Sequence, residues 1–213
     1  MIFNIKYDLK ALSPNYIGSG FGSSAIKRML LKQTNGDFVI PGSTVKGRVR
    51  YYCKEFISNS GIFKEQEIKD LFGDAGDEAR GMLVCAFSDL KTSLKKNDDY
   101  RFTIRNGIQI SRNTRTTKPH ALFNTEIVEY SDNLKSDNSK SDNSKSIFSG
   151  EIIYSTQNKD ENKIEKNLVL LLSGLRLLSK FGGSKTSGFG KCEVPFESRS
   201  EEHTSELQSR ITI

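Results

Sequence analysis

The sequence has no tryptophan, two histidines, three cysteines and four prolines among its 213 residues. Cys53, Cys85 and Cys192 are widely spaced and form no C-x-x-C pair, so neither a zinc-ligand cluster nor a disulfide framework can be assembled. They read as reduced core thiols of a cytoplasmic protein. No Ser/His/Asp order is assignable either, and neither a metal nor a cofactor is expected. Long hydrophobic runs are also missing. A run such as 168–172 is far from the roughly 20 residues that a membrane-spanning helix needs, and Met1 opens onto an alternating pattern rather than a leader.

What the chain has in excess is positive charge, with 32 Lys+Arg against 26 Asp+Glu and a formal net charge of +6. Residues 199–209, RSEEHTSELQS, resemble the translation of a sequencing-library adapter, so 198–213 are read as a non-native tail and 1–197 as a single domain. Residues 199–213 hold two Arg and three Glu, and leaving them out raises the charge from +6 to +7. His120 is then the only histidine of the body.

Along that body the hydrophobic period switches. Phe3, Ile5, Tyr7, Leu9 and Ala11 alternate with polar residues, the period-two signature of a half-buried strand. Asn35-Gly36 predicts a hairpin turn between 28–31 and 37–40. From Ser43 the period becomes helical through Val45, Val49, Tyr52, Cys53 and Phe56, with Ser43 or Thr44 as candidate caps and Gly61 beyond the end. Residues 83–87, 101–110, 122–130 and 148–154 read as strands, and 163–180 as a helix ending at Gly182-Gly183, followed by a last strand over 189–194. The run KSDNSKSDNSKS inside 132–147 is low-complexity and predicts a mobile loop. The order of elements predicts an α+β fold of the ferredoxin-like, split βαβ type with long loop and hairpin insertions.

Two segments carry chemistry. In VIPGSTVKGR, residues 39–48, a strand meets a Pro-Gly turn and a helix start; free amides and the positive helix end make an anion site there, and Gly42 and Gly47 allow close approach of a phosphate. Lys46, Arg50 and Lys54 form a basic edge on that helix. In KFGGSKTSGFGK, residues 180–191, successive amides with Lys180, Lys185 and Lys191 can cradle phosphates. Helix and strand stand in the wrong order around it for a P-loop, which argues against nucleotide hydrolysis. Each segment also has a purely structural reading, as N-capping with surface charge and as a helix C-cap with a turn. Of the aromatics, Phe21, Phe102, Phe123 and Phe189 are expected in the core, and Tyr51 on the first helix is a candidate for stacking.

The strings IPGSTVKGRVR, GMLVCAFSDL, RNGIQISRNTRTTKPHALFNTE and FGGSKTSGFGKCEV, in that order, resemble the RAMP superfamily of CRISPR effector proteins, most closely its type III backbone subunits. The resemblance runs from Ile2 to about Val194. It implies an RRM-like domain that polymerises along a guide RNA, with complementary target RNA, other effector subunits and copies of itself as partners. By that resemblance Gly42, Ser43, Lys46, Gly47, Arg48 and Arg50 bind the guide backbone, with Lys46 and Arg50 the foremost phosphate partners. Gly182, Gly183, Lys185, Gly188 and Gly190 form a second backbone-binding loop. Residues 108–123 resemble the hairpin, or thumb, that interrupts guide–target pairing, with Arg112, Arg115 and Lys118 toward phosphates; a solvated basic loop is the alternative there.

Family members that cut target RNA carry an aspartate in the loop after the first strand, and the aligned position here falls near Ile26. Between Met1 and Asp37 the only carboxylate is Asp8, inside the strand, so oxygen ligands for metal-assisted hydrolysis are missing and a non-cleaving member is expected. Asp37 reads as a turn residue. Two alternatives stay open: a metal-independent guide-processing endonuclease, for which His120 is the only body histidine, and a ferredoxin-like interaction module without RNA binding.

Overall fold

The alternation at the N-terminus becomes strand β1 (Ile2–Ala11), in which Tyr7, Leu9 and Ala11 are buried and the intervening residues turn away from the core. The computed structural model describes residues 1–61, 63–73, 85–92, 94–131, 148–156 and 160–195. The other described elements are helices α1 (Gly42–Ser60), α2 (Glu65–Phe72) and α3 (Glu161–Arg176), and strands β2 (Cys85–Phe87), β3 (Tyr100–Ile110), β4 (Thr117–Tyr130), β5 (Phe148–Ser155) and β6 (Cys192–Glu193). The low-complexity segment 132–147 and the tail 198–213 lie outside the described residues, as do 83 and 84 of the strand predicted over 83–87.

Four strands make one antiparallel sheet in the order β2-β5-β1-β6. Helix α1 connects β1 to β2, and α3 connects β5 to β6, so two β-α-β units interleave and each inserts a strand between the strands of the other. The result is an α+β architecture. Both helices pack on the face bearing Tyr7, Leu9, Phe148, Ile152 and Tyr154, around a core continued by Val45, Val49, Cys53, Leu170, Leu171 and Leu175. Each such side chain contributes about 1.5–3 kcal/mol of burial. The helices approach closely because position 174 is glycine, where a Cβ would run into Cys53 Sγ and lie 3.1 Å from the Val49 carbonyl.

The opposite sheet face has no element packed on it among the described residues and carries Asn4, Lys6, Asp8 and Lys10 on β1 with Ser149, Glu151 and Ile153 on β5. It has no aromatic residue among those described, and its carboxylates offset its lysines. A stacking platform of the RRM kind is therefore missing from it.

Strands β3 and β4 form a separate two-stranded ribbon, in register from Tyr100↔Tyr130 to Ile108↔Leu122 with an irregularity before Ile110↔Thr117. Its base is buried through Tyr100, Ile127, Val128 and Tyr130. Its distal half, which holds the predicted thumb of residues 108–123, leaves Ile104, Ile108, Ile110 and Leu122 exposed.

Several local expectations need correction. Helix α1 starts at Gly42 after Pro41, without a cap from Ser43 or Thr44. Gly182-Gly183 does not end α3, which stops at Arg176 with Leu177 as its cap. The Asn35-Gly36 turn exists, with Gly36 at φ 84°, but it is flanked only by an isolated Lys32↔Phe38 bridge and not by strands. Helix α2, unpredicted, is short; it is nucleated by the Glu67 carboxylate accepting the Lys64 N–H at 2.6 Å and buries Ile68, Leu71 and Phe72. Phe21 is 79% exposed rather than in the core. Phe102, as expected, packs against the core beside Tyr100, though half-buried and under Lys32 and Lys96, whereas Phe123 and Phe189 are half-buried under Arg28 and Arg105 respectively.

Candidate nucleic-acid interface

The two glycine-containing segments meet in space through Arg48. Its position on α1, one residue off the Val45–Val49 core stripe, aims the guanidinium at the segment that follows α3. There Arg48 Nε donates to the Lys180 carbonyl at 2.9 Å, and a terminal nitrogen donates to the Tyr52 hydroxyl at 3.2 Å. The guanidinium also lies over two rings, 4.7 Å from the centroid of Tyr51 and 4.9 Å from that of Tyr52, which are nearly perpendicular to each other at 78°. Tyr52 closes the link through its hydroxyl, 2.8 Å from Ser179 Oγ. Burial pushes the Tyr52 hydroxyl up, but its bonds to Ser179 and Arg48 more than offset this and leave it below the usual tyrosine value.

Lys185 belongs to the same cluster. Partial burial and then the neighbouring Arg48 charge hold its ammonium below the usual lysine range, with Tyr52 opposing the shift. No carboxylate pairs with Arg48 or Lys185 among the described residues. Two like charges kept close without a counter-ion form a site that gains from an anion.

The loop that presents Lys185 is shaped by its glycines. Gly182, Gly188 and Gly190 have φ of 75°, 87° and 74°, values that other residues rarely adopt. At Gly190 a Cβ would also collide with the Phe181 carbonyl, and at Gly182 it would sit 2.5 Å from the Tyr16 carbonyl. Residues 13–17 serve as a strut for the loop: Gly183 N–H donates to Tyr16 O, Gly190 N–H to Pro14 O and Lys191 N–H to Ser13 Oγ, each at 2.8–2.9 Å. The same strut bonds to β4 through Asn15 and Val128 and through Asn15 Nδ2 to the Tyr130 hydroxyl at 2.6 Å. Thr186, Ser187 and Gly188 are left at the surface.

The start of α1 differs from the sequence expectation. Its first amide, Gly42 N–H, already donates to Asp89 Oδ1 at 2.8 Å. Gly42 is buried, and a Cβ there would meet the Phe87 and Ser88 carbonyls; this glycine serves close packing on the chain after β2 and leaves no opening for a phosphate. Ser43 and Gly47 are exposed. Lys46 and Arg50 lie on the flank facing β2, away from the Arg48 cluster, and Lys46 Nζ donates to the Cys85 carbonyl at 2.9 Å. Burial lowers the Lys46 ammonium, reinforced by Arg50 and opposed by Cys85. The residues brought together are thus Arg48, Lys185 and the 182–190 loop, with Lys46 and Arg50 on the other side of the helix. Tyr52, Ser179, Asp89 and the 13–17 strut escaped the sequence reading; only Tyr52, four residues after Arg48, carried a local signal.

Arg112, Arg115 and Lys118 are all exposed at or beside the tip of the β3–β4 ribbon, and Arg115 adopts φ 53° within the turn. His120 falls in β4, and its side chain is outside what the structure describes. Ile26 sits in a turn closed by Ser23 N–H to Ile26 O and Ile26 N–H to Ser23 Oγ, and this turn leans on β4 through Lys27 Nζ to Leu122 O. Glu126 reaches back toward this region but is held by the Leu30 amide and by Lys32 Nζ at 2.6 Å. Asp37 is a turn residue, accepting from Asn35 Nδ2 and from the Tyr100 hydroxyl.

Comparison with known proteins agrees with this architecture. The family model of the RAMP superfamily matches residues 8–193, most of the chain, and the protein belongs to that superfamily. Among solved structures, a chain of the type III-B Cmr-beta complex in its apo state superposes with a TM-score of 0.62 at 10% identity, covering 92% of this chain and 98% of that one. A chain of the same kind of complex bound to cognate target RNA gives 0.59 at 13% identity, covering 91% and 96%. At those identities the likeness concerns the fold. No curated protein sequence matches. Among the described residues no helix is long and apolar enough to cross a membrane, and no group of His, Cys, Asp and Glu is placed to hold a metal ion.

Proposed function

We propose that this protein is a guide-RNA-binding backbone subunit of a type III-like CRISPR ribonucleoprotein and that it does not itself cut RNA. The observation that carries the reading is the junction of the two segments at Arg48: its guanidinium donates to the Lys180 carbonyl and so joins α1 to the start of the segment that presents Lys185, both cations lie within the superfamily match, and no carboxylate pairs with either among the described residues. The interleaved strand order supports the ferredoxin-like reading, and the similarity to chains of type III-B Cmr-beta complexes supports an effector assembly with target RNA and other subunits as partners. The phosphate path runs along the Arg48 flank of α1 and the 182–190 loop, with the cations of the ribbon tip reaching further along the strand. Lys46 and Arg50 would serve a second stretch of RNA on the β2 flank. The turn at Ile26 offers no carboxylate for a metal ion, which supports the non-cleaving reading.

The test is single-stranded RNA binding followed by fluorescence anisotropy across a salt series. Lys185→Ala is expected to weaken binding roughly tenfold and to make the slope of log K against log salt shallower by about 0.7, one phosphate contact. Its melting temperature should stay at the wild-type value because the side chain supports no core contact. Unchanged affinity and slope would overturn the reading. Cleavage of guide-complementary RNA by the purified protein with Mg²⁺ or Mn²⁺ would overturn its non-cleaving part.

A further inference from the structure

Position 47 presents an anomaly within α1. Glycine in a helix interior is unfavourable relative to alanine, and every other described helical glycine has a packing reason: Gly42 lies against the chain after β2, and Gly174 against Cys53. At Gly47 a Cβ would meet nothing within 4 Å, and its φ is not in the left-handed range. Neither packing nor backbone geometry calls for a glycine, yet the position is exposed and opens a notch on the helix surface. Four residues on, on the same helix face, stands Tyr51, 46% exposed and with no hydrogen bond to its hydroxyl among the described residues. Side chains on a helix lean toward its N-terminus, and the Tyr51 ring lies against the Arg48 guanidinium, next to Gly47, but leaves the space of a Cβ at 47 open. The ring is fixed from behind, by the Arg48 guanidinium over it and by the edge-to-face contact with Tyr52 at 5.4 Å.

From these residues we infer that Gly47 and Tyr51 form a base-stacking notch: one nucleobase of the bound RNA lies on the open side of the Tyr51 ring, in the space that a side chain at 47 would fill, while Arg48 and Lys185 hold the adjoining phosphates. The inference rests on the RNA-binding reading above and makes it specific. Stacking on an aromatic ring is tolerant of base identity because every base has a π-face, which suits a subunit that accepts any guide. The sheet face away from the helices, without aromatics among the described residues, supplies no competing platform there. A tyrosine held from behind and open in front is preorganised, so little side-chain freedom is lost on binding.

The experiment uses short oligoribonucleotides carrying one 2-aminopurine at successive positions, and matched oligomers with an abasic residue at the same positions. Affinity and 2-aminopurine quenching are read for the wild type, Tyr51→Ala, Tyr51→Phe, Gly47→Ala and Lys185→Ala. The expected result is a roughly tenfold loss of affinity and loss of quenching at one register in Tyr51→Ala, with Tyr51→Phe like the wild type. At that register abasic RNA should bind the wild type as weakly as normal RNA binds Tyr51→Ala. Gly47→Ala should raise the melting temperature and yet lower the affinity, a combination that a purely structural glycine would not produce. If Tyr51→Ala and Gly47→Ala bind and quench like the wild type while Lys185→Ala is weakened, the notch is overturned and RNA binding stands. If Lys185→Ala is unchanged as well, both fall.

Discussion

At the scale of single residues, glycines in this protein have at least three separate tasks. Gly42 and Gly174 allow close backbone approach, Gly182 and Gly190 combine positive φ with contact to a carbonyl, and Gly47 leaves open space. Sequence alone cannot sort them, because each reads as the same letter in a polar, basic context. The assignments have different consequences. Gly190→Ala would force an L-residue into φ 74° and drive its Cβ into the Phe181 carbonyl. It should cost about 2 kcal/mol or more, seen as a lower urea midpoint with an unchanged m-value. Gly47→Ala, by contrast, should stabilise the helix by about 0.5–1 kcal/mol. The cysteines are of another kind: burial pushes Cys53, Cys85 and Cys192 up to about 12, so all three are inert thiols.

At the scale of elements, helix α2 shows how a short segment can be held by a few contacts. Eight residues are marginal as an isolated helix, and α2 depends on the apolar trio Ile68, Leu71 and Phe72 and on the ion pair from Lys163 of α3 to Asp70 at 2.8 Å. The Lys163 hydrogen bond holds the Asp70 carboxyl below its ordinary value of 3.8, with slight burial opposing and Gln66 assisting. A depressed carboxyl stabilises the fold above its unfolded pKa, and that contribution is lost as pH falls through the folded value. Asp70→Asn should therefore lower stability near neutral pH by only about 0.5 kcal/mol, because solvent screens this surface pair, and the difference from the wild type should vanish in acid once the pH has fallen through the folded value, below 3.8. Thermal melts at a series of pH values would check it; a difference that persists in acid would show that the pair is not the cause. The β3–β4 ribbon is the complementary case, an element with a buried base and a distal half that meets the rest of the described fold mainly at the turn of residues 25–28 and leaves Ile108, Ile110 and Leu122 exposed.

At the scale of the whole molecule, the cations proposed to meet RNA fall in three places: the Arg48–Lys185 cluster, the Lys46–Arg50 flank and the ribbon tip. Their separation makes an additive prediction. Replacing Arg112, Arg115 and Lys118 together by Ala should leave stability within about 0.5 kcal/mol of the wild type, since all three are exposed. If each meets a phosphate, the salt slope of RNA binding should become shallower by about 2, three contacts at roughly 0.7 each, on top of the effect of Lys185→Ala. A tip variant with the wild-type slope would confine the phosphate path to the helix and glycine loop.

The alternation in β1, the Val45–Val49–Cys53 stripe of α1, the leucines of α3 and the Gly61 cap at φ 65° were all legible in the sequence, since periodicity reports which side of an element is apolar. The ribbon strands could be seen within a few residues, and so could the two glycine-containing segments. Helix α2 stayed hidden because its apolar residues are few and its start depends on the Glu67 carboxylate. The choice among cations lay beyond the sequence altogether. Lys46 and Arg50 stood out by their i, i+4 spacing, yet Lys46 is turned to the Cys85 carbonyl, while Arg48 meets a carbonyl 132 residues away. Periodicity determines the face that a helix buries; which flank of that helix meets the distant loop depends on how the two β-α-β units interleave, and that long-range pairing brings Arg48, Tyr52, Ser179 and Lys185 to one place.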